Sequence, residues 1–207
     1  MKKEAIILGY SGHAYVVIDM LLLNNYKIIG YFDQLLKAKN PYHLSYLGSE
    51  IEMNPEEHIE DKSFFLGIGD NNIRSMLFGN MKAKHAFMPY LAHPSSYISE
   101  SAKIAEGTVL MAGAVINALS KIGYGVICNT SSVIEHECEI GDFVHIGPGA
   151  VLAGDVSVGD HTFIGANSVV KQGIRIGKNV IVGAGSVIVK DIKDGALVYG
   201  NPGVLKL

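Results

Sequence analysis

Between residues 98 and 188 an aliphatic residue, or in one case a cysteine, occupies every sixth position of this chain. These positions are Ile98, Ile104, Leu110, Ile116, Ile122, Cys128, Ile134, Ile140, Ile146, Leu152, Val158, Ile164, Val170, Ile176, Val182 and Ile188. A small or β-branched residue follows four positions after each of them. An α-helix repeats every 3.6 residues and a strand every two, so neither gives a period of six. A β-solenoid with hexapeptide sides does, and the pattern predicts one.

The hexads also predict which residues stack. Three hexads close a triangular coil of 18 residues, so residues 18 apart lie about 4.8 Å from each other, and the sixteen hexads make about five coils. The aliphatic positions point inward and the residue before each points outward. The outward residues form a polar first side (Lys103, Lys121, Glu139, Ser157, Arg175, Lys193), a largely apolar second side (Val109, Ile127, His145, Phe163, Ile181) and an apolar third side (Val115, Val133, Val151, Val169, Val187).

Two apolar outer sides indicate contact with other protein surfaces. Continuous apolar stripes mark interfaces, and a ring in which each subunit touches two neighbours would cover both sides. The sequence therefore predicts a homotrimer whose three-fold axis runs along the solenoid. The alternative is that the N-terminal region packs against these sides, which would account for one of them more readily than for both.

The first ninety residues follow a different pattern. Strands at Glu4–Leu8 and Lys27–Phe32 flank a helix at residues 14–23, and the glycine-containing turn at residues 9–13 lies at the first strand-to-helix junction. Backbone N–H groups and the helix dipole at such a junction favour an anion, and Asp33 lies where such folds often meet a ribose hydroxyl. The turn is equally well explained as a structural turn with a helix cap.

The remaining elements complete a half-Rossmann-like α/β domain. A third strand is expected at residues 64–68, a short helix from residue 73 and a fourth strand at residues 84–88, with loops and a short helix between 37 and 61. The unit is too small for a full dinucleotide domain, and a nucleotide-sugar pocket fits better. We therefore predict two domains, residues 1–89 and residues 90–207.

Composition narrows the function classes. The net charge of −3 and the absence of a basic run give no support for nucleic-acid binding. No apolar run is long enough for membrane insertion or a signal peptide. Cys128 and Cys138 both point inward, which favours buried thiols in a reducing compartment over a disulfide. These features predict a cytoplasmic globular protein.

One corner of the predicted coil carries candidate chemistry. His136 lies there between Glu135 and Glu137, whose carboxylates could hold its tautomer and raise its basicity, as a general base requires. Gly154 stacks on His136 and offers a backbone N–H without a side chain, as an oxyanion donor needs. His145 follows nine residues later, half a coil away. The two imidazoles can therefore share a site only across a subunit boundary.

The chain resembles the hexapeptide-repeat acetyltransferases with a left-handed parallel β-helix, and within them the sialic-acid O-acetyltransferase and UDP-4-amino-sugar N-acetyltransferase group. The resemblance covers nearly the whole chain. It rests on Gly9-Tyr10-Ser11-Gly12-His13, Tyr31-Phe32-Asp33, Gly67-Ile68-Gly69-Asp70-Asn71-Asn72-Ile73-Arg74, Ile134-Glu135-His136-Glu137-Cys138, Gly141-Asp142-Phe143-Val144-His145 and Gly200-Asn201-Pro202-Gly203.

The resemblance implies roles for particular residues. It implies acetyl-CoA as the donor, no metal, and an active site between the subunits of a trimer, with His136 as base and Glu137 raising its basicity. His145 would contact the acetyl group, and the backbones of Ala166 and Ala184 would line acetyl-CoA. The nucleotide-sugar would meet the N-terminal residues Ser11, Gly12, His13, Asp33, Gln34 and Gly69. Related sequences often have two acids where this chain has Asp33 and Gln34.

The leading hypothesis is N-acetylation of the 4-amino group of a UDP-linked amino-dideoxy sugar in bacterial surface glycan biosynthesis. O-acetylation of a sialic acid is the alternative, and a non-catalytic nucleotide-sugar-binding trimer is a more remote one. A zinc enzyme of the carbonic-anhydrase type is disfavoured, because the histidines of the repeat lack the expected five-residue spacing.

Overall fold

The structure is a computed structural model that describes residues 3–49 and 62–206. The N-terminal unit is a parallel four-stranded sheet in the order β3-β2-β1-β4. Its elements are β1 (Glu4–Leu8), α1 (Gly12–Leu23), β2 (Lys27–Phe32), β3 (Ser45–Tyr46), β4 (Lys62–Leu66) and α2 (Asn71–Ala83). The apolar strands are buried on both faces, as parallel strands covered by helices are.

Two expectations for this unit are wrong in detail. The predicted fourth strand at residues 84–88 forms only an isolated bridge between Ser63 and Phe87, and β3 supplies the fourth strand at the opposite edge. The helix expected from residue 73 begins at Asn71, because the side chain of Asp70 accepts hydrogen bonds from the Asn72 and Ile73 amides. Part of the predicted loop region, residues 50–61, lies outside the described residues.

The second half is the parallel β-helix that the hexads predict. The first side contains Lys103–Ile104, Lys121–Ile122, Glu139–Ile140, Ser157–Val158 and Arg175–Ile176. The second contains Leu91–Ala92, Val109–Leu110, Ile127–Cys128, His145–Ile146, Phe163–Ile164, Ile181–Val182, Leu197–Tyr199 and Val204–Leu205. The third contains Tyr97–Ile98, Val115–Ile116, Val133–Ile134, Val151–Leu152, Val169–Val170 and Val187–Ile188.

The core of the β-helix consists of the inward residues. Aliphatic side chains from all three sides form one continuous buried cluster. Both cysteines are buried and unpaired, as expected. Inward hydroxyls are also fully buried, and those of Thr108 and Thr162 donate to the carbonyls of Gly123 and Gly177. These hydrogen bonds satisfy polar groups that burial would otherwise penalise.

The last coil departs from the 18-residue repeat. Ile176 bridges to Ile192 and Ile181 pairs with Leu197, and both partners are 16 residues apart. The placement of Lys193 above Arg175 is therefore wrong, because the final coil is two residues shorter than the others. The backbone amide of Arg175 instead donates a hydrogen bond to the side chain of Asp191.

The N-terminal unit covers part of the second side. Val109 and Ile127 are 3% and 0% exposed, and they share a buried cluster with Ala5, Ile7 and other residues of β1 and α1. Higher on the same side, Phe163 and Ile181 are 37% and 51% exposed. The prediction that both apolar sides are free for neighbouring subunits is therefore wrong for the lower coils. There the N-terminal unit of the same chain covers the second side.

The third side remains apolar and is not covered by the other residues that the structure describes. Its outward valines are half-buried or, for Val169, 41% exposed. Together with Phe163 and Ile181 it forms the apolar surface that is left for contact with another molecule.

Deleting an inward side chain should destabilise the β-helix far more than deleting an outward one. Leu152 is fully buried, so we expect Leu152→Ala to lower the free energy of unfolding by about 3 kcal/mol. Guanidinium-induced unfolding measures the loss. Ser157→Ala on the polar first side is the control and should change it little; equal losses in the two variants would contradict the inward assignment.

Candidate active site

The side chains of His136 and Glu137 contact each other at the corner after Val133–Ile134. Glu137 has a left-handed backbone with φ of +62°, and its Oε2 lies 3.0 Å from His136 Nδ1. Glu135 faces away, because its Oε2 accepts from the Asn117 side chain at 2.8 Å. A carboxylate only accepts hydrogen bonds, so in the neutral ring the proton lies on Nδ1 and the lone pair on Nε2. This arrangement is chemically suited to a general base.

Gly154 lies directly against the imidazole of His136. A Cβ at this position would come within 2.5 Å of His136 Nε2 and closer still to Cε1, so any side chain would push the ring away. In the described part of the chain, the Gly154 amide has no hydrogen-bond acceptor, whereas its carbonyl accepts from Gly173. The stacking of His136 on Gly154 agrees with the 18-residue repeat.

His145 lies on the second side in a different environment. Its Nε2 is 3.1 Å from Asn129 Nδ2, and Asn129 Oδ1 accepts from the Thr130 amide at 2.8 Å. The contact with Thr130 fixes the orientation of the Asn129 side-chain amide, so its Nδ2 donates to His145 Nε2. Burial, together with the charge of Arg74, lowers the pKa of His145 to about 4. This imidazole is therefore neutral at pH 7.

His13 lies near His145 where α1 begins. Burial lowers its pKa to about 3, and the charge of Arg74 adds to the shift. Its Nε2 is buried and has no hydrogen-bond partner within the part of the chain that the structure describes. The structure thus brings His13, His145 and Arg74 together at the junction between the N-terminal unit and the β-helix.

The carboxyl end of the N-terminal sheet gathers most of the other predicted substrate-binding residues. Ser11 and Gly12 are exposed at the start of α1, and the space beside the Gly12 Cα is open. Gln34 is also exposed. Asp33 is buried, and its two oxygens already hold the Tyr10 amide and the Lys37 ammonium, each at 2.8 Å. Asp33 therefore supports the glycine turn from within the chain.

Gly69 lies in the loop between β4 and α2, at the same end of the parallel sheet. It lines a cavity of about 410 Å³ with Asp70, Asn71, Asn72, His161, Phe163, Asn179 and Ile181. Its carbonyl accepts from the Arg74 side chain at 2.9 Å. Gly69 thus lies beside Arg74, whose other hydrogen bonds reach the β-helix.

Ala166 and Ala184 stack at another corner of the β-helix. The stacking requires glycine at positions 147 and 165, because a Cβ on Gly147 would lie 2.7 Å from the amide nitrogen of Ala166 and one on Gly165 would lie 2.5 Å from that of Ala184. Ala184 is exposed and Ala166 is half-buried. Among the residues that the structure describes, neither alanine forms a hydrogen bond with His136 or His145 of the same chain.

The predicted site residues therefore form separate groups in a single chain. His136, Glu137 and Gly154 lie at one corner, whereas His145 lies on the second side with His13 and Gly69. Sequence reasoning did not single out Asn129 or Arg74. The only signal for Arg74 was its place in the segment that begins at Gly67.

Within residues 3–49 and 62–206, no group of three or more His, Cys, Asp or Glu side chains could hold a metal ion. No helix in the same residues is long and apolar enough to cross a membrane.

Comparison with known proteins identifies the family. Residues 4–81 match the PglD N-terminal domain, and residues 155–190 match the hexapeptide repeat of succinyl-transferase. The acetyltransferase domain of PglB from Neisseria gonorrhoeae FA1090, solved with acetyl coenzyme A, is 33% identical with a TM-score of 0.91, over 100% of both chains. The chain belongs to the hexapeptide-repeat acetyltransferases with a PglD-type N-terminal domain.

Two further relatives are similar to this acetyltransferase. A variant of GDP-perosamine N-acetyl transferase from Caulobacter crescentus, solved with CoA and GDP-perosamine, is 34% identical with a TM-score of 0.91, covering 99% of this chain and 97% of that one. UDP-N-acetylbacillosamine N-acetyltransferase from Bacillus subtilis (strain 168) is 34% identical over 112 residues, 53% of this chain. The match spans about half, 52%, of that curated protein's length. The predicted family and fold class, a half-Rossmann-like α/β domain followed by a left-handed parallel β-helix, are confirmed.

The His13 and His145 imidazoles predict a loss of stability in acid. Their pKa values are lower in the folded chain than the ordinary 6.5, so the unfolded chain binds protons more readily and protonation favours unfolding. Their contribution is complete above pH 6.5 and is lost as the pH falls toward 4 for His145 and 3 for His13. We expect the free energy of unfolding to fall by up to about 2 kcal/mol per imidazole between about pH 7 and pH 5.

Denaturant unfolding at several pH values measures this effect. His145→Gln should remove part of the acid sensitivity. His85→Asn is the control, because His85 is exposed with φ of +58°, a conformation that asparagine tolerates. An unchanged pH dependence in His145→Gln would contradict the assignment.

Proposed function

We propose that this enzyme transfers the acetyl group of acetyl-CoA to the 4-amino group of a UDP-linked amino-dideoxy sugar. The observation that carries the proposal is the His136 imidazole, with Nδ1 directed at Glu137 and Nε2 beside the unsubstituted Gly154. An acyl transfer to an amine needs a base for the amine proton and a donor for the oxyanion, and this corner provides both.

The reaction proceeds by direct attack. The amine nitrogen of the sugar attacks the thioester carbonyl, and Nε2 of His136 accepts the proton that the nitrogen loses. The Gly154 amide donates to the carbonyl oxygen as it gains negative charge. The tetrahedral species collapses with loss of the CoA thiolate, which takes up a proton. A positioned amine is a good nucleophile, so no covalent acetyl-enzyme is required.

We infer that the active site forms between the subunits of a homotrimer. The third side is an uncovered apolar surface, and His136 and His145 lie half a coil apart in one chain. A neighbouring subunit would bring its His145 toward the acetyl group held near His136, with acetyl-CoA along the backbones of Ala166 and Ala184. Light scattering that detects only a monomer under assay conditions would contradict this arrangement.

The N-terminal unit is the proposed site of the nucleotide. Ser11, Gly12 and His13 open α1, whose N-terminal amides favour phosphate, and Asp33, Gln34 and Gly69 border the same sheet end. The solved Caulobacter relative contains GDP-perosamine, and the name of the Bacillus relative contains a UDP-linked sugar. Those names support a nucleotide-linked acceptor, with residues 1–89 binding it and residues 90–207 transferring the acetyl group.

Removing the proposed base should abolish most activity without unfolding the protein. We expect His136→Ala to lower kcat about 10²- to 10⁴-fold, the usual contribution of a general base. Glu137→Gln should have a smaller effect, because it keeps a hydrogen-bond acceptor for Nδ1. Steady-state kinetics with acetyl-CoA and an amino sugar nucleotide measures both. His85→Asn should remain fully active, and a His136→Ala variant with near wild-type kcat would overturn the role of His136.

A thermal-shift screen tests the acceptor independently of the reaction. A ligand that binds only the folded protein raises Tm, so a UDP-linked amino sugar at about 100 times its Kd should add about 2.7 kcal/mol of stability. Screening uridine, guanosine and thymidine nucleotides, each with and without acetyl-CoA, identifies the nucleobase that the protein prefers. If no nucleotide raises Tm, the N-terminal assignment is wrong. If free sialic acid is acetylated instead, O-acetylation is the activity.

A further inference from the structure

A cavity of about 410 Å³ lies where the N-terminal unit ends its cover of the second side. One wall is the segment that begins α2, with Gly69, Asp70 and Asn72. The other wall is the upper part of the second side, with Phe163 and Ile181. Small-ligand sites are concave spaces of this order that combine apolar walls with a few polar groups. The cavity therefore has the size and the composition of a ligand site.

Asn71 fixes the two walls to each other. Its Nδ2 donates to the His161 carbonyl at 2.9 Å, and its Oδ1 accepts from Arg74 Nη2 at 2.9 Å. Arg74 in turn donates to the carbonyls of Gly125 and Phe143, which belong to adjacent coils of the β-helix. These hydrogen bonds hold the cavity open in one shape, so a ligand would meet walls that are already in place.

The cavity lies between the two parts of the proposed active site. Gly69 follows β4, which pairs in parallel with β1, and β1 leads to Ser11 at the start of α1. At the other end, the ring of Phe163 packs edge-on against His145, with the ring centroids 5.0 Å apart. A group in the cavity is thus next to the proposed phosphate site and next to the imidazole that would meet the acetyl group.

The polar part of the lining contains a carboxylate. Asp70 Oδ1 accepts from the Asn72 and Ile73 amides, each at 2.9 Å, so the helix cap uses one of the two carboxylate oxygens. Asn72 and Asn179 are exposed and offer amide donors and acceptors. Among the described residues, no lysine or arginine lines the cavity. A carboxylate attracts an ammonium group and repels a second carboxylate, so the lining favours an amino sugar over a sialic acid.

The apolar wall favours a sugar without a 6-hydroxyl group. Phe163 and Ile181 are register partners in adjacent parallel strands, so their side chains lie side by side on one face. They are 37% and 51% exposed and can still be covered by a ligand. A hydroxyl group placed against them would lose hydrogen bonds to water, whereas a methyl group gains free energy by leaving water.

We propose that this cavity holds the sugar ring of the acceptor and selects a 4-amino-4,6-dideoxy hexose. Asp70 lies at the amino group, and Phe163 and Ile181 lie at the 6-methyl group. The inference rests on the proposed function, which requires the amine to point toward the acetyl group beside His145. It extends that function by naming the residues that choose the sugar.

Equilibrium binding without acetyl-CoA separates this selection from the reaction. Calorimetric titration compares three UDP-linked sugars: the 4-amino-4,6-dideoxy hexose, its 4-hydroxy counterpart and its 6-hydroxy counterpart. Each pair differs at one position, so the difference in affinity reports that position alone. We expect wild type to bind the amino-dideoxy sugar about 10- to 100-fold more tightly than the 6-hydroxy counterpart. Equal affinities for all three would overturn the proposal.

Substituting Asp70 tests the polar wall. Asp70→Asn removes the charge and keeps a residue that caps helices well. We expect the preference for the 4-amino over the 4-hydroxy ligand to fall about tenfold, the usual contribution of a hydrogen bond to a charged group. Asp191→Asn is the matched control, because Asp191 also accepts a backbone amide, that of Arg175, but lies outside the cavity. An equal effect in the two variants would contradict the role of Asp70.

Substituting Phe163 tests the apolar wall. Phe163→Thr should bring the preference for the 6-deoxy ligand close to one. Phe87→Thr is the matched control, because Phe87 is 58% exposed and bridges Ser63 at the other end of β4. Light scattering on each variant detects a change in assembly. If Phe163→Thr breaks an oligomer and keeps the ligand preference, the wall is a subunit contact and the proposal is wrong.

A sugar without a nucleotide tests the cavity independently of the proposed function. Saturation-transfer NMR with the millimolar methyl glycoside of a 4-amino-4,6-dideoxy hexose should show contact of its 6-methyl protons with wild type and both controls. The contact should weaken in Asp70→Asn and Phe163→Thr, and the same signal in all five proteins would overturn the proposal. Failure of acetyl transfer in the kinetic assay would remove the proposed function and leave this binding result intact.

Discussion

The 18-residue coil is the constraint on which the rest of this structure depends. Each coil satisfies its backbone hydrogen bonds with the coils above and below, and each inward side chain packs on its equivalents, so no coil can shift independently of its neighbours. Corners must turn in few residues, which places Glu137, Phe143 and His161 in the left-handed region. The same repetition sets His136 on Gly154 and brings the carboxylate of Glu137 to Nδ1. The geometry of the proposed base is thus a consequence of the repeat.

The junction between the N-terminal unit and the β-helix is the second organising feature. It is apolar over most of its area, where β1 and α1 cover Val109 and Ile127, and polar at Arg74, where one guanidinium reaches three segments. An apolar contact tolerates sliding, whereas hydrogen bonds to fixed carbonyls do not. Arg74 therefore gives the junction a defined orientation and holds the Gly69 carbonyl in it.

His136, His13 and His145 have the same side chain but lie in different environments. The side chain of His136 is half exposed beside a carboxylate, so its free nitrogen is available to accept a proton. His13 and His145 are buried near a cation, which lowers the pKa of both and keeps them neutral at pH 7. Imidazoles with pKa values this low are weak bases, but as neutral, oriented rings they are suited to hydrogen bonding with a ligand. This division of roles is electrostatic in origin.

The sequence by itself determined the β-helix, its inward residues, the two buried thiols, the corner of His136 and its stacking on Gly154, because all of these follow from a period that each hexad repeats locally. Only the tertiary structure decided that the N-terminal unit covers Val109 and Ile127, that Asp33 is occupied by Tyr10 and Lys37, and that the last coil lacks two residues. The contacts of Arg74 with Gly125 and Phe143 and of Asn129 with His145 were beyond reach for the same reason. They join residues that no periodicity relates, and their geometry exists only after the two units have packed.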